Sequence, residues 1–167
     1  MKELLIIDGY NLLHQAEEFF RKDEDTLEEG RHRLVQRLQN YAGYGGRPVV
    51  LVFDGATRKQ EDVERYRNLD VVFTRQEETA DTYIERLAAV LVRQRVQVTV
   101  VTSDYEEQKS IFGSGAIRQS CREFLRILQD SKRSERAHYR DHGEQKNRLD
   151  RGLDERILAV LEALRKS

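Results

Sequence analysis

Two short runs of large apolar residues, each followed directly by Asp-Gly, constrain the fold more than any other feature of the sequence. Leu4–Ile7 precedes Asp8–Gly9, and Val49–Phe53 precedes Asp54–Gly55. A run without a polar face is typical of a strand that is buried on both sides of a sheet. The carboxyl ends of parallel strands lie along the edge where α/β folds bind their ligands. The two runs therefore predict buried strands that each place an aspartate at that edge.

The rest of the sequence alternates the patterns of strands and helices. Apolar segments at 69–74 and 96–101 predict two more strands, and 115–117 fits a short strand at the sheet edge. Residues 56–68 are expected to form a charged connection with one helical turn. Apolar residues at helical spacing predict helices in three segments: 27–41, 80–91 and 121–128. This alternation predicts a three-layer α/β/α, Rossmann-like domain around a mainly parallel sheet of four or five strands.

The last third of the chain differs in character. Residues 131–148 interleave arginines and lysines with His138, Tyr139 and His142, and almost none of them suits a core. This segment is expected to be a charged loop, an arm or a contact surface. Helical spacing of apolar residues resumes over 149–165 and predicts a C-terminal helix that packs on the sheet. Without a repeat or a linker, residues 1–167 are expected to form a single domain.

Composition limits the kinds of partner and site. The formal charge of the 167 residues is −1, so a site for a polyanion must be a local basic patch. Cys121 is the single cysteine, which excludes a disulfide within the chain and a cysteine-rich zinc site. The first residues do not resemble a signal peptide, and no apolar stretch is long enough to span a bilayer. A cytoplasmic protein without a membrane partner or a small-molecule cofactor is expected.

Four acids map to one edge of the predicted sheet. Asp8, Asp54 and Asp104 follow strands, and Asp81 opens the helix after the third strand. Each also has a local explanation. Asp8 and Asp54 precede glycines in what can be plain turns, Asp104 has the spacing of a helix cap with Glu107, and Asp81 suits a helix dipole.

A shared edge makes the local explanations insufficient. Two carboxylates about 5 Å apart repel each other by roughly 3 kcal/mol at an effective dielectric constant of about 20. Several of them together require a cation, and oxygen ligands select a hard ion such as Mg²⁺ or Mn²⁺. Such an ion can activate water and neutralise a phosphate, which favours phosphodiester hydrolysis. Asn11 is then suited to orient a water, a phosphate oxygen or Asp8, although it can also simply close the turn.

Four motifs carry a resemblance to a known family, in the order Ile7–Asn11, Val52–Gly55, Ala80–Glu85 and Val101–Asp104. Together they resemble the signature of the NYN domains, relatives of the PIN-domain nucleases, and in particular the bacterial YacP-like group. The resemblance implies a PIN-like fold and a metal-dependent endoribonuclease that leaves 5′-phosphate and 3′-hydroxyl ends. It also implies single-stranded RNA, in particular mRNA, as the substrate and the ribosome as a candidate partner.

The same resemblance implies roles for individual residues. It assigns catalytic and metal-binding roles to Asp8, Asp81 and Asp104, with Asn11 in support. Asp54 matches the second of these motifs and is a further candidate for metal binding. PIN relatives often have a further acid, and two residues are candidates for it: Glu85 and Glu107.

A nuclease must also hold a polyanion. Basic residues near the expected edge are candidates to bind RNA phosphates: Arg58, Lys59, Arg75, Lys109 and Arg118. Tyr10 and Tyr139 are candidates to stack on unpaired bases. An ordinary charged surface is the alternative for each of these side chains.

Two other functions fit parts of the pattern. A non-catalytic adaptor that binds RNA or the ribosome through a vestigial nuclease site would have the same fold and motifs. A phosphoacceptor domain of the receiver type also has strand-end aspartates. It requires an acid pair at the first strand and a lysine after the fifth, whereas Gly9 and Tyr10 follow Asp8 and no lysine directly follows Ile117.

Overall fold

The computed structural model describes residues 2–55, 58–104, 113–142 and 153–166. Six strands are present in this part of the chain: β1 (Glu3–Asp8), β2 (Val49–Phe53), β3 (Asp62–Tyr66), β4 (Leu69–Phe73), β5 (Gln97–Val101) and β6 (Ile117–Gln119). The helices in the same residues are α1 (Gly9–Leu13), α2 (Leu27–Gly43), α3 (Ala80–Arg93), α4 (Cys121–His142) and α5 (Glu155–Lys166). None of these helices is both long enough and apolar enough to cross a membrane.

The strands form one sheet in the order β3-β4-β2-β1-β5-β6. The neighbours from β4 to β6 are parallel, and only β3 runs antiparallel to its neighbour β4. The central strands β1 and β2 are apolar because both of their faces are covered, as the sequence predicts. Their carboxyl ends, and the beginnings of the helices that follow β1 and β4, therefore lie along one edge of the sheet.

Alternate residues of the central strand divide the core into two layers. Leu5 and Ile7 of β1 pack with α2 and α4, whereas Leu4 and Ile6 pack with α3 and α5. This alternation is the period of two that a strand imposes on its side chains. It confirms the predicted three-layer α/β/α fold with a mainly parallel sheet.

The helix beginnings are set by side-chain caps. Thr26 accepts a hydrogen bond from the backbone N–H of Glu29 at 3.2 Å, and Thr79 accepts one from Thr82 at 3.2 Å. Each threonine satisfies an N–H that has no partner within its own helix. The cap at Thr79 fixes where α3 begins and so places Asp81 in its first turn.

The structure differs from the expected strand count at 56–68. Residues 62–66 form β3 instead of a helical turn, which gives six strands instead of four or five. The β3–β4 hairpin turns at Asn68, whose φ of 57° is a left-handed conformation that asparagine tolerates. The charged residues of β3 are mostly exposed at the sheet edge, so they lack the apolar pattern of a buried strand.

The expected loop or arm at 131–148 is helical as far as His142, and residues 143–148 lie outside the described residues. Polar contacts hold this part of α4 on α2, which is why apolar periodicity did not predict it. Arg37 forms a largely buried ion pair with Glu135 at 3.2 Å and donates to the backbone carbonyl of Leu128 at 2.5 Å. The C-terminal helix expected at about 149–165 is observed as α5, beginning at Glu155.

Candidate functional site

Asp8 is held at the end of β1 by the helix that follows it. Its Oδ1 atom accepts a hydrogen bond from the backbone N–H of Asn11 at 3.3 Å, so the carboxylate caps α1. The residue is only 8% exposed. The local explanation for this acid is therefore correct in part, since Asp8 has a structural contact. An ionised carboxylate has about four acceptor positions, so this capping bond is compatible with metal binding by the same group.

Asn11 joins three elements at this edge. Its Oδ1 atom accepts hydrogen bonds from the backbone N–H of Ser103 at 2.7 Å and from the Cys121 thiol at 3.1 Å. Ser103 follows β5 and Cys121 begins α4, so these bonds connect the ends of two adjacent strands to a helix N-terminus. Because the oxygen is committed to these donors, the amide N–H groups are what Asn11 can offer to another group.

Asp104 lies next to this connection. It is partly buried, and its backbone N–H donates to the Thr102 hydroxyl at 3.1 Å. Ile7 of β1 is paired with Val101 of β5, so Asp8 lies one residue and Asp104 three residues beyond this paired position. The structure thus places these two predicted acids at adjoining strand ends. Glu107, the candidate further acid of this segment, lies outside the described residues.

Asp54 follows the neighbouring strand on the other side of β1. Asp8 is paired with Val52, so Asp54 lies two residues beyond the paired position, and it is partly buried. Gly55 packs so closely that a Cβ atom would lie 1.7 Å from the carbonyl oxygen of Thr74. The glycine after Asp54 is therefore required by close backbone packing at the end of β2.

Asp81 and Glu85 are exposed on α3, one helical turn apart. Within the described residues, no hydrogen bond links either acid to Asp8, Asn11 or Asp104. Their helix begins at the same edge of the sheet because it follows β4 after a short loop. The structure places Asp81 at the predicted edge, but on the face of the sheet opposite to α2 and α4.

Buried polar contacts hold the first turns of α3. Arg86 forms an ion pair with Glu78, in the loop before the helix, at 2.8 Å. Tyr83 is 1% exposed; burial raises the pKa of its hydroxyl, and the nearby Glu61 carboxylate raises it further. Burial also raises the pKa of the Glu61 carboxyl itself. The ion pair of Arg86 with Glu78 thus joins the helix that carries Asp81 to the loop before it.

The candidate metal ligands of the described residues are dispersed carboxylates. No group of three or more His, Cys, Asp or Glu side chains in those residues could by itself hold a metal ion. A single ion shared by Asp8, Asp81 and Asp104 therefore stays a prediction. The available donors are carboxylate oxygens, and Mg²⁺ commonly uses one or two of them with waters and substrate phosphates.

A row of aromatic rings, Tyr10, Phe53 and Phe73, lies beside the strand-end acids. The ring centres of Tyr10 and Phe53 are 4.9 Å apart, and Phe53 stacks on Phe73 at 5.5 Å. Gly9 permits this row, because a Cβ atom there would lie 2.3 Å from the Phe53 ring. The ring of Tyr10 is thus already packed against protein, which makes it less available for a base than the sequence suggests.

Two arginines cover the far end of the aromatic row. The guanidinium of Arg58 lies 4.1 Å from the Phe73 ring centre, and Arg58 is paired with Asp62 at 2.6 Å. The guanidinium of Arg31 lies 5.9 Å from the same ring centre, and its Nη1 atom donates to the Tyr10 hydroxyl at 2.8 Å. Two guanidinium groups therefore lie on the Phe73 ring, and that of Arg58 is already paired with an acid.

The other predicted RNA-binding residues are more dispersed. Lys59 is exposed in the connection between β2 and β3. Arg75 lies two residues beyond the end of β4 and forms an ion pair with Glu77 at 3.9 Å. Arg118 is partly buried on β6, opposite Val100 of β5. Lys109 lies outside the described residues.

Sequence reasoning missed Arg31, Ser103 and Cys121 as neighbours of the site. Ser103 belongs to the motif that ends in Asp104, but its backbone contact with Asn11 cannot be read from the motif. Cys121 looks like an ordinary apolar residue of α4, and Arg31 like one of several charged residues of α2. Only the folded chain brings them to Asn11 and Tyr10.

Comparisons with known proteins agree with this architecture. Residues 5–166 match the family model of the YacP-like NYN domain. The chain is 35% identical to the protein YacP of Bacillus subtilis (strain 168) over 165 residues, which is 98% of this chain and 97% of YacP.

Solved structures give the same result. A crystal structure of Rae1 (YacP) from Bacillus subtilis has a TM-score of 0.70 and 34% identity, covering 98% of this chain and 95% of that one. A mutant form of Rae1 (YacP) has a TM-score of 0.72 at the same identity, covering 96% of this chain and 92% of that one. The chain therefore belongs to the YacP-like NYN domain family, a group of PIN-like, nuclease-type domains.

Proposed function

We propose that this protein is a divalent-metal-dependent endoribonuclease that cleaves single-stranded RNA. One observation carries the proposal: Asn11 ties the end of β1, which bears Asp8, to the end of β5, which leads into Asp104. In a chain of the NYN family, acids at adjoining strand ends are the expected position of a phosphodiester-cleaving site. Messenger RNA is the proposed substrate and the ribosome a candidate partner, both from the family resemblance.

The donor set suits a hard cation. Asp8, Asp81 and Asp104 would hold Mg²⁺ or Mn²⁺, with Asp54 and Glu85 as further candidates, directly or through water. A bound ion would activate a water and neutralise charge on the phosphate. Three carboxylates in direct contact with the ion are not required, because phosphate oxygens and waters can complete the coordination sphere of such an ion.

The chain's own groups then have separate tasks. Asp8 is held by the cap of α1, so its carboxylate has a fixed position when RNA arrives. The amide N–H groups of Asn11 are the part of that side chain left to donate to a phosphate oxygen or a water. Arg58, Lys59, Arg75, Lys109 and Arg118 are proposed to attract and hold the RNA backbone. Hydrolysis breaks the bond from phosphorus to the 3′ oxygen, which leaves a 5′ phosphate and a 3′ hydroxyl.

Cleavage of labelled single-stranded RNA tests the proposal, with Mn²⁺ or with EDTA, and with or without ribosomes. The informative variants are Asp8→Asn and Asp81→Asn; Asn at position 8 still caps a helix, so the fold is preserved. Asp23→Asn, on an exposed turn before α2, is the matched control. Loss of metal-dependent cleavage in the two site variants, with an unchanged or raised melting temperature, supports the proposal.

Two results would contradict it. Full activity of Asp8→Asn would remove the role of that carboxylate. Tight RNA binding by the wild-type protein, without cleavage in Mn²⁺ in the presence or absence of ribosomes, would favour the non-catalytic adaptor.

A further inference from the structure

Arg31 differs from the other arginines of α2 in its polar partner. It is partly buried, and its recorded polar partner is the neutral hydroxyl of Tyr10, at 2.8 Å. Arg33 is paired with Asp25 at 3.0 Å, and Arg37 with Glu135 at 3.2 Å. Within the described residues, Arg31 forms no ion pair with a carboxylate. Its charge is thus not compensated by the protein there.

The surroundings of Arg31 are built to hold a guanidinium in one place. One N–H group donates to the Tyr10 hydroxyl, and the ring of Phe73 lies 5.9 Å below the guanidinium carbon. Tyr10 is itself fixed by packing on the buried Phe53 ring. A guanidinium stays charged at all physiological pH values and has five N–H donors, so four remain for an anion.

The position of Arg31 in the fold indicates which anion it would bind. Tyr10 is two residues from Asp8 and one from Asn11, at the junction of β1 and α1. A bound RNA strand whose reacting phosphate lies at Asp8 would have its neighbouring phosphates within reach of this junction. We propose that Arg31 binds a phosphate of single-stranded RNA that flanks the reacting one, and that Tyr10 acts as a positioning residue through its hydroxyl. This inference rests on the proposed function, because it takes RNA as the substrate.

Arg58 offers an internal comparison. It covers the same Phe73 ring, but its charge is already paired with Asp62 at 2.6 Å. An arginine that is neutralised in the free protein releases fewer counterions from RNA when it binds a phosphate. Removing Arg31 is therefore expected to change the salt dependence of RNA binding more than removing Arg58.

The test measures binding separately from cleavage. Fluorescence anisotropy follows a 5′-labelled oligouridylate in EDTA over a series of salt concentrations. For Arg31→Ala and Arg31→Gln, the slope of the logarithm of affinity against the logarithm of salt is expected to become shallower by about 0.7. Arg31→Lys keeps the charge and the slope. Tyr10→Phe keeps the slope but lowers the affinity severalfold, because the guanidinium is no longer held.

Arg93→Ala is the matched control, since Arg93 is exposed in the last turn of α3, at the opposite end of that helix from Asp81. An unchanged slope in both Arg31→Ala and Arg31→Gln would overturn the inference, as would an equal change in Arg93→Ala.

Cleavage by the wild-type protein together with an unchanged Arg31→Ala slope removes this subsite and leaves the nuclease. Binding with the expected slopes but without cleavage in Mn²⁺, with or without ribosomes, removes the nuclease and leaves the subsite. Failure of the wild-type protein to bind the oligonucleotide overturns the Arg31 subsite, whereas the cleavage assay decides on the nuclease.

Discussion

The side-chain oxygen of Asn11 accepts the backbone N–H of Ser103 at 2.7 Å, across 92 residues of sequence. A backbone N–H can only donate, so this contact fixes which end of the amide is the oxygen. The nitrogen end is left for a ligand, and a nitrogen with two hydrogens cannot bind a metal ion. Asn11 is thus expected to act as a hydrogen-bond donor beside the acids, not as a metal ligand.

Asn11→Asp tests this assignment. A carboxylate at position 11 can still accept from Ser103, but it loses the amide donors and adds negative charge near Asp8. We expect RNA cleavage to fall by about a hundredfold, which is the usual effect of losing one donor to a developing charge. The melting temperature should change little. In contrast, Asn11→Ala leaves the Ser103 N–H without this partner and should destabilise the fold by about 1–3 kcal/mol. Wild-type activity of Asn11→Asp would contradict the assignment.

Cys121 provides a second donor to the same oxygen, at 3.1 Å. Cys121→Ser keeps a donor at this position, whereas Cys121→Ala removes it. We expect Cys121→Ala to shift the side-chain amide resonances of Asn11 in ¹⁵N-resolved NMR spectra and to lower the cleavage rate severalfold, because the amide is less well held. Cys121→Ser should restore both. Identical Asn11 resonances in wild type and Cys121→Ala would show that the thiol does not orient the amide.

Much of the fold could be predicted because its strands are buried. Runs such as Leu4–Ile7 have no polar face, and only a covered strand accounts for them. The edge strand β3 could not be predicted in this way, since most of its residues are charged and exposed. Its backbone pairing with β4 holds it in the sheet. The continuation of α4 beyond residue 131 was not predicted for a similar reason. It contacts α2 through the ion pair of Arg37 with Glu135, so its sequence has no apolar residues at helical spacing.

The sequence predicted where the acids of the site lie, but not which side chains contact one another there. Acids that follow parallel strands must lie along one edge, and Asp8, Asp54 and Asp104 do. Contacts between side chains distant in sequence depend on packing, and no local pattern encodes them. The hydrogen bond between Asn11 and Cys121 spans 110 residues. The hydrogen bond between Arg31 and Tyr10 joins two helices, and it uses the hydroxyl of a side chain that the sequence suggested would stack on an RNA base.

Gly9 is expected to be essential for packing, independently of catalysis. A Cβ atom at Gly9 would lie 2.3 Å from the ring of Phe53, which is fully buried. Gly9→Ala should therefore destabilise the protein by about 1–3 kcal/mol, the usual cost of overpacking a core. Gly43→Ala is the matched control, because a Cβ atom there meets nothing within 4 Å and the residue lies in α2. Urea unfolding measures both, and Gly43→Ala should be neutral or stabilising. Equal stability of the two variants would refute the packing argument.

Asp70 is a buried carboxyl at the other end of the sheet from the acids. It is 2% exposed on β4, where Arg65 of the neighbouring strand β3 approaches it to 3.8 Å and Glu162 of α5 is nearby. Arg65 is also paired with Glu162, which weakens its attraction for Asp70. The pKa of Asp70 is raised from 3.8 to about 6, mainly by burial and also by the Glu162 charge, while the Arg65 charge acts in the opposite direction.

A raised carboxyl pKa makes the native state bind more protons than the unfolded chain between about pH 4 and pH 6. The stability contributed by Asp70 is therefore full at low pH and is lost as the pH rises through about 6. Asp70→Asn removes this titration. Relative to wild type, the variant should gain about 3 kcal/mol between pH 4 and pH 7. Urea unfolding across this range measures the gain, with the exposed Asp23→Asn as control. A difference between Asp70→Asn and wild type that does not change with pH would show that Asp70 ionises in the folded protein as it does in the unfolded chain.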